Sequence, residues 1–418
     1  MTYVRLTILQ WHEIIIMCIH TYSDVPTQKP HFCQLPFESG SKMISNSLFN
    51  SLWPLIKLLQ VFGGCPIKKD EKSSCGFEAM HSGVYFIIVS IAWLLAIASY
   101  CLYTNYLFSL YGINLEELSK IIYGFDQSPL DGTATYLLSF ASIAHLTIIF
   151  FNFKMKDKFI DLLLIFEGVK QQNNRPVKNK TFILINFLFG SFSCSFVAFG
   201  TTMTLNEKFS LTIVHLIQFS VGLGITVIIT TLPVFGLIII YTEVCNQMNT
   251  WAQILSEDFN VKRQSWREQS YEHQLFIECL RKSKDMFSAV IFAMITWYLV
   301  YLIFAAYVAL TCIITPSEER LWSQITLLPA LMSTFIYLYH FNSVSHELTN
   351  NVQKLAKALS KSEICFETKF YIIEDLKSFQ GFDALGFFTL GKPLLTSIAA
   401  NFATFIIVLV QFKLTEMS

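Results

Sequence analysis

Seven stretches of 20 or more residues contain no Asp, Glu, Lys or Arg: Ala79–Leu115, Gly132–Phe153, Thr181–Asn206, Phe209–Thr242, Met286–Ser317, Leu321–His346 and Pro393–Phe412. A helix of about 20 mostly apolar residues crosses a hydrocarbon layer of roughly 30 Å. Soluble helices need polar residues on their water-facing side, so a soluble chain rarely sustains such runs seven times. Together the runs hold 197 of 418 residues, and all 60 charges fall on the other 221, a density of 27% there. The 14% average for the chain therefore mixes two populations. The runs are continuous and not ten-residue alternations, which argues against a membrane barrel. The expected fold class is all-α, a polytopic membrane protein with seven transmembrane helices at about 83–108, 134–153, 181–204, 211–241, 286–312, 322–343 and 393–412.

Seven crossings put the termini on opposite sides, and the basic residues choose between them. The side holding Met1–Ser82, Lys154–Lys180, Glu243–Asp285 and Glu347–Lys392 carries 26 Lys and Arg, and the other side carries 4. The positive-inside rule then places the N-terminus in the cytoplasm and the C-terminus outside. Acidic residues divide 22 to 8, so the zero net charge resolves into +4 inside and −4 outside. Residues 1–42 show scattered Pro, His and Cys without periodicity and read as a poorly ordered tail. Ser51–Phe62 reads as a short amphipathic helix with Pro54 near its start, and 413–418 as a short extracellular tail. Helical spacing in Met248, Trp251, Leu255 and Phe259, and in Val352, Leu355, Leu359, Phe370, Ile373 and Leu376, predicts that membrane helices continue into a packed cytoplasmic layer.

Catalytic signatures are missing: the chain has no HExxH, no GxSxG and no phosphate-binding glycine loop. The ten cysteines form no CxxC pair or metal spacing, and they read as small apolar filler. No enzyme activity, cofactor, metal site or nucleic-acid partner is expected. The spans contain no carboxylate or basic side chain for a proton relay, and the two halves show no repeat, which disfavours a secondary transporter.

The seventh run is the most informative. Gly391, Lys392 and Pro393 open it, and proline suits a first helical turn where its missing amide is no loss. Ser397, Asn401, Thr404, Val408 and Gln411 follow steps of 4, 3, 4 and 3, and fall on one stripe about 80° wide. Amides facing lipid would go unsatisfied, so the stripe faces protein or water. Two readings stand: hydrogen bonding between helices, or a pore lining in which Gln411 forms a neutral polar ring near the outer end.

Thr404-Phe-Ile-Ile-Val-Leu-Val-Gln411-Phe412 resembles the closing signature of insect gustatory receptors: Thr, Tyr, five hydrophobic residues, then Gln-Phe. The preceding Gly381–Ile398 (GFDALGFFTLGKPLLTSI) resembles that family's lead-in, and Ser51–Leu55 followed by Gly63, Gly64 and Pro66 is similar to its N-terminal signature. Phe405 stands where the family has Tyr, and Ile406 where the sugar-receptor branch has Glu. Residues 1–42 exceed what members usually carry, pointing to an alternative start at Met43, with a channel domain over 43–412.

The resemblance implies a ligand-gated cation channel in the plasma membrane of chemosensory neurons, a homo- or hetero-tetramer with other gustatory receptors, surrounded by membrane lipid. It implies that Gln411, Val408 and Thr404 serve the pore and gate, with Ile407 and Phe412 beside them. It also implies a small-molecule pocket in the outer half of the bundle. Candidates there are Tyr100, Tyr136, His215, Gln218, Trp297, Tyr298 and Tyr301, with Tyr103, Ser139, Tyr307, Gln324 and Thr326 at similar depth. Aromatic walls with a few polar groups suit such a pocket, and Tyr and Trp also populate interfacial belts. With no carboxylate in the outer halves of the spans, a bitter or other non-sugar tastant is the expected ligand. A G-protein-coupled receptor is the competing seven-span reading, opposed by the 26-to-4 distribution and by missing DRY and NPxxY triplets.

Overall fold

In a computed structural model of the chain, the described residues are parts of 52–60, residues 67–69 and 77–79, scattered helical positions between 88 and 110, residues 156–170 and 203, and then 212–261, 266–314, 321–361 and 366–417. The chain divides into two units, Met1–Ile44 and Ser45–Ser418, and every described residue belongs to the second. The expected span over 134–153 lies outside the described residues, as do the tail over 1–42 and, apart from residue 203, the expected span over 181–204.

The elements in chain order are β1 (Ile67–Lys69), β2 (Phe77–Ala79), α1 (Lys156–Lys170), α2 (Ile213–Val261), α3 (Trp266–Ile314), α4 (Leu321–Lys361), α5 (Phe366–Ser378) and α6 (Lys392–Met417). The all-α expectation needs one amendment, an antiparallel hairpin pairing Ile67 with Ala79 and Lys69 with Phe77. Ahead of it, residues 52–57 are helical, with Leu52, Leu55 and Ile56 buried and Pro54 exposed.

Helices α2 and α3 each run 49 residues, about 74 Å at 1.5 Å per residue and more than twice a hydrocarbon core. Each joins an uncharged run to a charged one without a break. On α2 the buried positions step as Tyr241, Val244, Met248, Trp251 and Leu255, and on α4 as Leu348, Val352, Leu355 and Leu359. This is the 3–4 spacing of one helix face, and these faces pack against each other with α3 beside them. Trp251 meets Phe276 of α3 edge-on at 5.0 Å and Phe166 of α1 at 6.4 Å. The expected layer of helical extensions is therefore present. Its α5 face differs from expectation: Ile372 and Leu376 are buried, whereas Phe370 is exposed. The side chain of Phe259 lies outside the described residues.

The extensions meet the uncharged runs at an aromatic joint. The Tyr241 ring is 1% exposed. It lies 4.3 Å from Phe341 of α4, 5.0 Å from Phe287 of α3 and 5.2 Å from Phe382, which follows α5. The last two are edge contacts, the arrangement favoured by the ring quadrupole. Phe382 opens a small β-turn structure: Asp383 bridges Thr389, Ala384 N–H donates to Phe388 O at 2.8 Å, and Leu390 N–H donates to Phe382 O at 2.8 Å. At its tip Leu385 (φ 53°) and Gly386 (φ 79°) are successive left-handed residues, closed by Phe387 N–H donating to Ala384 O at 3.0 Å. Hairpins favour such mirror-image turns because they match strand twist. For Leu385 the conformation costs roughly 1–2 kcal/mol.

Two glycines of this turn are held by different constraints. A Cβ on Gly381 (φ 108°) would sit 2.9 Å from Thr349 Oγ1, a hydroxyl tied to Ser345 O at 3.0 Å, whereas one on Gly386 would meet nothing within 4 Å. Gly386→Ala should cost about 1–2 kcal/mol from backbone strain alone. Gly381→Ala adds a clash in a packed site and should lower the melting temperature of the purified protein further; equal shifts would contradict the packing at Thr349.

Cys245 and Cys279 are fully enclosed in the layer of helical extensions. Burial pushes the Cys279 thiol up to about 12 and the Cys245 thiol higher still. Reaction needs the thiolate, present at roughly one part in ten thousand at pH 8 for such a group. Both should resist alkylation in the folded protein and react once it is denatured, as peptide mapping by mass spectrometry would read.

Candidate functional site: the last membrane helix and the outer residues

Among the described residues, Lys392–Phe412 is the helix long and apolar enough to cross a membrane by itself. It forms as the sequence predicts, beginning at Lys392 with Pro393 second, and it runs five residues beyond Phe412 to Met417. It packs against α3 and α4, and Phe402 meets Phe335 of α4 edge-on at 6.0 Å. Even so, only 11% of the span is buried, with Ile398 and Leu409 its enclosed apolar side chains.

The stripe proposed from the sequence is exposed along its whole length: Ser397, Asn401, Thr404 and Gln411 are open, and Val408 is 38% exposed. Ile407 and Phe412 are exposed beside it. Thr404 Oγ1 donates back to Ala400 O at 3.0 Å, inside its own helix. Among the described residues no hydrogen bond joins Ser397, Asn401 or Gln411 to another helix of the chain. The described helices α3 and α4, against which α6 packs, thus leave the stripe unbonded. An amide placed in a medium that cannot hydrogen-bond costs roughly 4–8 kcal/mol, so in a bilayer the stripe needs hydrogen-bonding partners beyond the described helices.

The outer residues are less completely placed. Tyr100 and Tyr136 lie outside the described residues. Trp297, Tyr298 and Tyr301 sit on α3, which is helical through them, but their side chains lie outside the described residues. His215 and Gln218 occupy the first turns of α2, which Thr212 caps: its carbonyl accepts from Leu216 N–H at 2.9 Å and its hydroxyl from His215 N–H at 3.5 Å. Gln218 is exposed, and its side-chain carbonyl accepts a hydrogen bond from the Tyr103 phenol, 115 residues away. Two outer candidates from separate runs are therefore in direct contact.

Around them the exposed apolar residues form faces. Ile88, Ile91, Leu95, Leu102, Tyr106 and Leu110 recur at helical spacing within an arc of about 100°, and Ile213, Val214, Ile217 and Val221 are exposed on α2. Apolar faces this extensive suit lipid. A cleft of about 530 Å³ opens elsewhere, between α3 and α5 on the charged side. Its lining, with Glu278, Arg281 and Asp375, shares no residue with the outer candidates.

The 7tm chemosensory receptor family matches residues 52–416. A search of curated proteins by sequence finds no match. The fold is similar to two structures of the insect olfactory receptor OR5 from Machilis hrabei. One, in complex with eugenol, is 14% identical, covers 87% of this chain and 98% of its own, and superposes with a TM-score of 0.55. The other is 13% identical with the same coverage and a TM-score of 0.57. The architecture is accordingly the all-α, seven-transmembrane chemoreceptor fold, a receptor and not an enzyme. The chain belongs to the 7tm chemosensory receptor family.

Proposed function

We propose that this chain is a gustatory receptor: a ligand-gated cation channel of the plasma membrane, opened by bitter or other non-sugar small molecules. Four copies surround an axis lined by α6, either identical or mixed with related receptors. The observation that carries this reading is the polar stripe from Ser397 to Gln411, exposed on a membrane helix and, among the described residues, with no hydrogen bond from Ser397, Asn401 or Gln411 to another helix. Several copies meeting along that stripe would supply either amide partners or a water column, and the neutral Gln411 suits hydrated cations without a fixed charge. The closing signature at Thr404–Phe412 lies on the same helix. Ile406 in place of an acidic residue favours a non-sugar ligand. The structure of OR5 in complex with eugenol is compatible with an apolar, aromatic-walled pocket here.

In this arrangement Thr404, Val408 and Gln411 line the conduction path, with Ile407 and Phe412 at its flank. The ligand sits among outer-half residues that include His215, Gln218, Trp297, Tyr298 and Tyr301. The Tyr103–Gln218 contact supports a polar point in that region.

Cells lacking endogenous G-protein signalling, expressing the chain and challenged with quinine, caffeine and eugenol, should show ligand-evoked cation current. Current that requires G proteins would defeat the channel reading. Gln411→Ala should change single-channel conductance or cation selectivity by about twofold or more; unchanged permeation removes Gln411 from the pore. The orientation is tested separately. A C-terminal epitope should be stained on intact cells, and one inserted at 262–265 only after permeabilisation. The reverse pattern would overturn the cytoplasmic N-terminus.

A further inference from the structure

The turn between α5 and α6 is tied to two other helices by side chains that no part of the pore or pocket uses. Ser288 of α3, 7% exposed, donates to Asp383 Oδ1 at 3.0 Å and accepts the Leu385 N–H at 2.8 Å. Lys284, one turn earlier on α3, places Nζ 2.7 Å from Asp383 Oδ2. Gly386 N–H adds a longer contact to Asp383 Oδ1 at 3.4 Å. Both carboxylate oxygens are therefore engaged, and one hydroxyl bridges a side chain and a backbone amide of the same turn. Partial burial alone would raise the Asp383 carboxyl; the Lys284 ammonium and the Ser288 hydroxyl outweigh it and hold the group below the usual carboxylate range.

The other end of the turn is held by α4. Asn342 is fully buried. Its Nδ2 donates to Leu338 O of its own helix at 2.9 Å, which fixes the amide, and its Oδ1 accepts the Gly391 N–H at 3.1 Å. Gly391 immediately precedes α6. Leu385, between these attachments, keeps a left-handed backbone that leucine rarely adopts. Such outliers persist where their surroundings over-determine them, and here the Ser288 hydroxyl takes up the strained residue's own amide.

We propose that Ser288 and Lys284 of α3 and Asn342 of α4 are positioning residues that latch the 381–391 turn, and through it fix the inner end of the last membrane helix to α3 and α4. The chemistry is a carboxylate clamp at one end and a buried amide at the other. The inner end of α6 then follows α3 and α4 as one body. Trp297 and Tyr301 lie 9 and 13 residues beyond Ser288 on the same unbroken helix, about 14–20 Å along its axis. Under the channel reading, on which only this last step rests, displacement of α3 by ligand reaches the base of the pore helix through the latch.

The test uses the full chain in lipid nanodiscs and reads amide hydrogen exchange by mass spectrometry. Ser288→Ala and Asn342→Ala should speed exchange across 382–395 on the order of tenfold, as loss of a hydrogen bond to a charged or buried group implies. Exchange over 244–256 and 348–359 should stay as in the parent. Ser288→Thr, which keeps the hydroxyl, should stay within about twofold of the parent. Wild-type exchange in Ser288→Ala, or equal acceleration in the Thr and Ala variants, overturns the latch. If Ser288→Ala is not recovered folded, Lys284→Gln carries the same test, because that side chain is 41% exposed; parent-like exchange over 382–395 would again overturn it.

A second arm records single channels from the same preparations with quinine, caffeine and eugenol as probes. Ser288→Ala should alter open probability about threefold or more while leaving conductance unchanged, and Ser288→Thr should match the parent. A conducting parent whose open probability is indifferent to all these variants overturns the gating step. A parent that conducts nothing, with the exchange pattern as expected, defeats the channel reading and leaves the latch standing.

Discussion

Three segments distant in sequence converge on the ring of Tyr241 of α2, and the architecture on both sides depends on that convergence. On one side α2, α3 and α4 carry uncharged runs whose surroundings must be lipid or other helices. On the other the same helices continue as a bundle with an ordinary apolar core and a charged surface. Phe287, Phe341 and Phe382 close around Tyr241 where the change occurs. The two halves obey different solvents, yet no loop separates them. Because the rods are continuous, the joint sets the register in which the packing of the uncharged runs and of their charged extensions must agree.

The periodic and the uncharged were readable in the sequence; the close approaches were not. Met248, Trp251, Leu255, Val352, Leu355 and Leu359 were found by spacing alone because a helix buries one face at a fixed period. Pro393 marked the start of the last helix for a similarly local reason. Phe370 misled, since hydrophobicity and spacing do not say which side of a short helix its neighbours occupy, and the core took Ile372 and Leu376. The short hairpin at 67–79 leaves no trace in the sequence because three-residue strands carry no alternation. Likewise, nothing local in Ser288, Asp383 or Asn342 announces that residues 49 and 95 positions apart will bond. Gly381, Gly386 and Gly391 in the lead-in were the one available signal, as the backbone there turns left-handed or passes close to another chain segment.

For the candidate site the division is similar. The stripe on the last helix was legible as an angular pattern, and the fold adds that its own chain leaves it open. The outer residues were legible only by depth and type. Depth along a helix does not determine which way a ring points, and of these residues the Tyr103–Gln218 contact is where two runs are seen to meet.

The open flank of the last helix also bears on how many copies a membrane can hold. Among the described residues the Asn401 and Gln411 amides find no partner on another helix, and the assembly proposed above would give them one. Any state that satisfies those groups is favoured over the lone chain by mass action, so its stability rises with the concentration of its partners. Folding and stoichiometry are then one equilibrium. A cell making too few subunits would accumulate not idle monomers but a less stable species, preferentially exposed to turnover.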